Sequence, residues 1–390
     1  TMALFDDWRS NSPYYNQSHE EWAQTVRRFV DKEIMPNVEA WEAAGEVPRE
    51  LHLKAAEIGL LQQGFPEEYG GISQGVDMYH GLCATEELAR TGASGLQPAL
   101  MIHSVALAPI IKLGTEEMKR RIAPDVLAGR KLMSICITEP SGGSDVSAIQ
   151  TRAEKRGDKW VINGSKMFIS GGVRADYYTV VARAGGPGPD GLALFLVEKG
   201  TKGFTQTKLD KMGWHMSDTA ALYFDDVEIP YENIIGPEDN GFMAVVHNLN
   251  AERIGMAAGM LAYARCAVDE AHEWAKQRVT FGKPLIKNQV IRHKFAEMIR
   301  QISATQALVD QMVWAYNNDK LDYGILALCK VQASRTLDFC ARECAQILGG
   351  ACFIKGVKIE RIYRDVRAHV IGGGSEEILL DFAARQLGYT

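Results

Sequence analysis

The run that decides the fold is Ser134-Ile135-Cys136-Ile137-Thr138-Glu139-Pro140-Ser141-Gly142-Gly143-Ser144-Asp145, together with its sequel Lys166-Met167-Phe168-Ile169-Ser170-Gly171-Gly172. An apolar strand gives way to a hydroxyl, a carboxylate, a proline and paired glycines. After a hairpin, a second strand ends in an aromatic, a hydroxyl and two more glycines. Backbone amides freed at glycines, flanking hydroxyls and one flat ring suit an electron-rich planar cofactor that carries phosphates. Taken alone, the same residues also describe two strand exits with ordinary turn glycines.

Outward from this run the hydrophobic period changes twice. From about Glu20 to Leu127 it is helical, as in Trp22, Val26, Phe29, Val30 and Ile34, or Leu51, Ala55, Ile58, Leu60 and Leu61, with Pro66, Gly70 and Gly71 as punctuation. From about Met133 to Ile235 the period is two. Strands are expected over 132–137, 160–163, 178–182, 193–197, 204–208 and 220–227. Long helices return from about Asp239, with Asp239 or Asn240 as the cap and further helices near 290–315 and 323–348. Gly255, Ala258, Gly259 and Ala262 put small side chains on one face, which lets a neighbouring helix approach. The glycine- and proline-rich loop 185–191 lacks the amide donors and following helix of a phosphate loop. The expected fold is mainly α with a central β-domain: a helical domain over 1–130, a β-domain over 131–237 and a helical bundle over 238–390.

At 390 residues the chain can build two or three packed units. A net charge of −6 gives no reason to expect nucleic acid or an anionic membrane as partner. Seven cysteines, an odd number and mostly within apolar helical patterns, read as reduced core thiols of an intracellular, cytoplasmic protein. Cys340 and Cys344 share a helix face, but no histidine stands at ligand spacing, so no metal is expected. The most apolar stretch, 96–113, contains Gln97, His103, Ser104, Pro109 and Lys112 and reads as a buried helix without membrane insertion. Thr1 ahead of Met2 reads as a cloning remnant.

The opening strings resemble the acyl-CoA dehydrogenase family, in which this region lines the flavin of a bound FAD. The resemblance continues in order through Arg278-Val279-Thr280-Phe281-Gly282-Lys283-Pro284-Leu285, Gln289, Gln346-Ile347-Leu348-Gly349-Gly350 and Tyr363-Arg364-Asp365, and so spans nearly the whole chain. It implies a helical N-terminal domain, a β-barrel-like middle domain and a C-terminal four-helix bundle. It also implies that Thr138 bonds the isoalloxazine edge, that Phe168 stacks where relatives carry tryptophan, and that Ser170 replaces a threonine. Arg278 and Phe281 resemble residues that hold the FAD of a neighbouring subunit, and Gln289, Gln346, Gly349, Gly350, Ser144 and Ser375 fall on FAD-contact positions. Cys352 and Gly356 depart from the family's usual glycine and its acidic or amide residue.

The activity this implies is α,β-dehydrogenation of an acyl-CoA: a base takes the α-proton, donors meet the thioester oxygen, and the flavin takes the β-hydride. Many relatives carry the base as the glutamate of a Tyr-Glu-Gly-Thr string, where this chain has Gly373 within Ile371-Gly372-Gly373-Gly374-Ser375. Gly373 keeps only its backbone N–H for the oxyanion. The long-chain and isovaleryl-type branches place the base in a Glu-Arg pair on the first helix of the bundle, and here Leu249-Asn250-Ala251 precede Glu252-Arg253. A lone Glu-Arg pair is more often solvated surface. A carboxylate missing at one site and present at the other makes Glu252 the expected base. Arg253, Asn250 and Ser144 are the expected substrate contacts, and Glu376 and Glu377 are held as structural carboxylates.

A medium- to long-chain or branched acyl-CoA would give the trans-2-enoyl-CoA. By the same resemblance, electrons would pass to electron-transfer flavoprotein from a homotetramer, a dimer of dimers. Two alternatives share the fold: an oxygen-activating flavin monooxygenase or oxidase, and a reductive CoA-ester enzyme. Chain length would be set near residues 95–105 and 249–260. The Gly372–Gly374 turn and the small residues after Glu252 leave room for a branch.

Overall fold

The computed structural model describes residues 4–389, apart from the side chains of Asp7, Ala244, His247, Asn248 and Leu249. Eight helices come first: α1 (Leu4–Asp7), α2 (Gln17–Phe29), α3 (Val38–Ala44), α4 (Glu50–Glu57), α5 (Met78–Ala89), α6 (Leu96–Met101), α7 (His103–Leu113) and α8 (Glu116–Leu127). Eight strands follow: β1 (Met133–Cys136), β2 (Arg152–Arg156), β3 (Lys159–Ser170), β4 (Tyr177–Arg183), β5 (Leu192–Glu198), β6 (Phe204–Lys208), β7 (Thr219–Pro230) and β8 (Ile234–Ile235). Five helices close the chain: α9 (Met243–Gln277), α10 (Gln289–Asn317), α11 (Tyr323–Leu348), α12 (Lys358–Ile371) and α13 (Glu376–Gln386). This is the expected mainly helical fold around a central sheet.

Local chemistry starts the elements where it should. Asn16 accepts the amides of Ser18 and His19 to open α2, Asp77 accepts that of His80 to open α5, and His19 Nε2 lies 3.0 Å from Asp77 Oδ1, which joins the two caps. The strands pair in the order β6-β7-β3-β2-β4-β5-β8, with β1 parallel to β4. β2 escapes the period-two reading because four of its five residues are exposed. β3 and β7 run to 12 residues each, longer than expected, because their outer halves pair with each other while facing solvent.

Two expectations change. The apolar stretch 96–113 forms two helices that break at Ile102. There the buried His103 ring reaches Leu100 O through Nδ1 (3.2 Å) and Leu61 O through Nε2 (2.8 Å). Neither Asp239 nor Asn240 caps α9. Asn240 adopts a left-handed backbone (φ 54°) and donates its amide to Asp190 O at 2.7 Å, so Phe242 holds the cap position without a side-chain bond. The 35 residues of α9 run about 52 Å through the bundle core, with Ala257, Ala262, Ala264 and Ala267 fully buried along it.

One buried carboxylate joins the three parts. Asp365 on α12 is 1% exposed. Its Oδ2 accepts the amide and hydroxyl of Ser94 (both 3.0 Å) ahead of α6, and its Oδ1 accepts the amide of Trp214 (2.7 Å) from the turn between β6 and β7. Arg364 reaches the same regions through Met212 O, His215 and Glu42. Burial pushes the Asp365 carboxyl up to about 6 from its ordinary 3.8. The folded state therefore holds this proton more tightly than the unfolded chain. The carboxyl's contribution to stability declines as pH rises from about 4 to about 6 and is flat above. In Asp365→Asn an amide N–H₂ must face one of three donors. Urea unfolding should show a loss of about 2 kcal/mol at neutral pH and the disappearance of that slope.

Candidate functional site

The two strings of the opening run meet in space. Met167 N donates to Thr138 O at 2.9 Å, and Ser134 Oγ donates to Ser170 O at 2.9 Å. What holds them is a pair the sequence did not single out. Lys166, fully buried, donates to Glu139 Oε1 (2.9 Å) and to Ile137 O (2.8 Å). Glu139 also accepts the amides of Gln150 (2.8 Å) and Thr151 (3.0 Å). Burial alone would push the Glu139 carboxyl up. Lys166 and those amides outweigh it and hold it below its usual range.

Between these anchors the backbone is strained outward. The β3–β7 register shifts between Lys166 and Ile169, and Phe168 in the bulge takes φ 61° with its ring 68% exposed. A left-handed conformation at an aromatic is costly, and so is an exposed ring. Both are explained when a flat ligand stacks there. Gly142, Gly143 and Ser144 are exposed on the Thr138 loop, where the Gly142 amide donates to Glu139 O at 3.1 Å. This chain therefore fits a flavin at Thr138, Phe168 and Ser170, with Ser375 at the start of α13 on the bundle side.

The second half of the site lies where α9 passes the α6–α7 segment. Among the described residues the Glu252 carboxyl has one hydrogen bond, from Ser104 Oγ to Oε1 at 3.3 Å, and burial raises it above the usual range against the effect of that bond. Its neighbour Arg253 donates Nε to Gly373 O (3.1 Å) and Nη1 to Asn250 Oδ1 (2.9 Å). Base candidate and glycine turn are thereby one unit. Lys330 braces the same turn through Val370 O (3.1 Å) and Gly374 O (2.9 Å). The Gly373 amide makes no backbone bond among the described residues. A side chain at 373 is disfavoured by the backbone. The glycine sits at φ +70°, and a methyl there would lie 2.7 Å from Sδ of the flexible Met256 side chain, one turn beyond Glu252 on α9, which would have to shift.

Room for a branch therefore lies elsewhere than at Gly373. A methyl at Gly255 meets nothing within 4 Å, so this glycine faces open space rather than a close helix, whereas Gly259 backs onto Thr85 of α5. Of the rival carboxylates, Glu376 is spent on Ser334 Oγ (2.9 Å) and Arg335 Nε (3.0 Å). Glu377 is exposed on the first turn of α13. The Asn250 oxygen is spent on Arg253. The Leu249 side chain lies outside the described residues.

The remaining expected cofactor residues stand apart. Arg278 ends α9, 26 residues from Glu252, or about 39 Å along the helix. Phe281, fully exposed at φ 48°, occupies the turn of the hairpin Val279–Thr280/Lys283–Pro284. Gln289, Gln346, Gly349 and Gly350 are likewise exposed, at the start of α10 and the end of α11. Ser104, Met256, Lys330 and the Glu139–Lys166 pair are the site residues that sequence reasoning missed. Only Lys166 gave a signal, as a charge set between apolar strand positions.

Comparison with known proteins agrees over the whole chain. Family models match residues 16–130 as "Acyl-CoA dehydrogenase, N-terminal domain", 134–227 as the middle domain and 239–388 as the C-terminal domain. The chain is 36% identical to the mouse mitochondrial long-chain specific acyl-CoA dehydrogenase, covering 96% of this chain and 87% of that protein. A crystal structure of a probable acyl-CoA dehydrogenase from Mycobacterium abscessus is 40% identical with a TM-score of 0.93, covering 96% of this chain and 99% of the other. A glutaryl-CoA dehydrogenase from Mycobacterium smegmatis, solved in complex with FADH2, is 28% identical with a TM-score of 0.92 over 100% of this chain and 99% of the other.

Removing one partner of the buried pair leaves the other charge stranded. Lys166→Met should destabilise the protein by about 3 kcal/mol or more and strip its flavin, while Lys166→Met with Glu139→Gln recovers part of the loss. Melting temperature and the flavin-to-protein absorbance ratio check this.

Proposed function

This chain belongs to the acyl-CoA dehydrogenase family, FAD-dependent enzymes that dehydrogenate acyl-CoA, and from that premise we propose that Glu252 is its α-proton base and a medium- to long-chain or branched acyl-CoA its substrate. The observation that carries this reading is the state of Glu252: a desolvated carboxyl that, among the described residues, has a single hydroxyl partner and is tied through Arg253 to a turn whose Gly373 amide meets no backbone acceptor. Desolvation strengthens a carboxylate as a base near neutral pH. The Gly373 N–H, fixed by Arg253 and Lys330, bonds the thioester oxygen and favours the enolate-like charge as the α-proton leaves. FAD, when bound, supplies the hydride acceptor for the β-carbon. Thr138, Phe168, Ser170 and Ser375 hold it, and Ser144 lies beside the pantetheine arm. The product is the trans-2-enoyl-CoA, and the electrons leave to electron-transfer flavoprotein.

Open space at Gly255, one turn from the base, supports a substrate with a branch or bulk near the reacting carbons. The 39 Å that separate Arg278 from Glu252 support a shared cofactor site. Arg278, Phe281, Gln289, Gln346, Gly349 and Gly350 meet the FAD of a second copy, within a homotetramer.

Anaerobic mixing of the holoenzyme with a panel of acyl-CoAs tests the base. Wild type should bleach, and Glu252→Gln should retain FAD and bleach at least about 100-fold more slowly. A variant that bleaches at the wild-type rate sinks the assignment. The base works only when deprotonated, so the rate should fall as pH drops through the raised carboxyl value. The Ser104 bond opposes that rise. Ser104→Ala should therefore move the acidic limb of the kcat/KM profile to higher pH, and Ser104→Thr should restore it.

A further inference from the structure

Two contacts fix how the cleft deepens beyond Glu252. At its mouth Ser104 meets Glu252, and deeper in, a methyl at Gly259 would lie 3.4 Å from Gln97 Oε1 and 3.1 Å from Thr85 Cγ2. Each wall thus advances by seven residues between the two contacts, about 10.5 Å on the α9 side. Gly255 stands open between them. An acyl chain that leaves the base along α9 therefore ends on Gln97 and Thr85.

That end is built from polar groups with unmet hydrogen bonds. Gln97 Nε2 donates to Thr85 Oγ1 at 3.3 Å, and no donor meets Gln97 Oε1 among the described residues. Thr85 is the one partly exposed residue in an otherwise buried run of α5, 82–89. One turn further along α9, Tyr263 is 1% exposed and its hydroxyl has no partner among the described residues. It packs 5.5 Å from His369, 5% exposed, whose two ring nitrogens are also unmet. His369 in turn packs 5.2 Å from Trp214, whose Nε1 is unmet as well. A buried polar group without a partner costs roughly 1–3 kcal/mol, and an alkyl tail would add Gln97 to the debt.

We propose that the deep end of the cleft is a polar subsite, and that the preferred acyl thioester carries a neutral hydroxyl or carbonyl oxygen on its distal part. The inference rests on the acyl-CoA dehydrogenase reading and deepens it. The Tyr263 hydroxyl, one turn beyond Gly259 on the same face of α9, is a donor, and Gln97 Oε1 is an acceptor; between them they match either oxygen function. A distal carboxylate does not fit. The cations nearby, Lys330 and Arg253, are spent on the carbonyls of the Gly372–Gly374 turn, and the charge nearest Tyr263 is the Asp365 carboxylate. An extended chain advances about 1.2 Å per bond, which puts the oxygen roughly nine bonds beyond the α-carbon.

The test compares decanoyl-CoA with ω-hydroxydecanoyl-CoA on the holoenzyme. Wild type should favour the hydroxylated thioester by about tenfold in kcat/KM, and Gln97→Leu with Thr85→Val should abolish or invert that ratio at unchanged flavin content. Titration of Glu252→Gln with both thioesters, read from the flavin spectrum, should show the same preference in Kd without turnover. Equal or better use of decanoyl-CoA by wild type, with a ratio that the Gln97 and Thr85 substitutions leave unmoved, overturns the subsite. Turnover by Glu252→Gln with the Kd preference intact overturns the base assignment and leaves the subsite standing.

Discussion

The architecture depends on one buried carboxylate. Asp365 offers two oxygens to three donors, two from Ser94 and one from Trp214, and these belong to the helical N-terminal part and the sheet part. A flat cofactor and a long acyl thioester need walls from three separately folded pieces, held to within fractions of an ångström. Apolar packing sets distance but little direction. A carboxylate whose two oxygens are both engaged sets both, and Arg364 repeats the link through Met212, His215 and Glu42. Burial raises the carboxyl's pKa, so the joint costs stability in its own right. It persists because it positions Ser94, two residues before α6, and with it the wall that faces Glu252.

The site repeats this logic on a smaller scale. Glu139 and Lys166 do for the two strand exits what Asp365 does for the domains: they fix the direction of chain segments whose hydrophobic faces alone would let them slide. Phe168 then projects from a bulge whose strain is held by the strands on either side. On the bundle side, Arg253 links the helix that carries Glu252 to the turn that carries Gly373. A displacement of either Glu252 or Gly373 therefore drags the other.

Much of this was legible in the sequence, and the limits have physical causes. The two changes of hydrophobic period foretold the helix–sheet–helix order, because burial on one face imposes its period directly. Thr138, Phe168, Glu252 and the glycine turn could be picked out because their strings are local. Arg364-Asp365 could be recognised as a string, but its work as a clamp could not, since its partners lie about 150 and 271 residues away. Ser104 gave no signal: nothing in a hydroxyl on an apolar stretch says that it faces a carboxylate 148 residues later. The break at Ile102 arises from a histidine ring bonding to Leu61, and Asn240 misses its cap because its own backbone turns left-handed. Each miss comes from a long-range bond overriding a local preference.

The exclusion of a carboxylate at position 373 bears on how such a fold chooses where its base stands. Two walls of one cleft can each carry the group, but two buried carboxylates over one α-carbon would raise each other's pKa and bury a second charge without a partner. The wall that does not carry the base must therefore be made unable to. Here the left-handed backbone at Gly373 does this, because any side chain there is strained, whereas the Met256 thioether, one turn from Glu252 on α9, is the flexible end of a side chain that can shift. A glutamate introduced at 373 would need a changed backbone before it could face the carboxyl of Glu252.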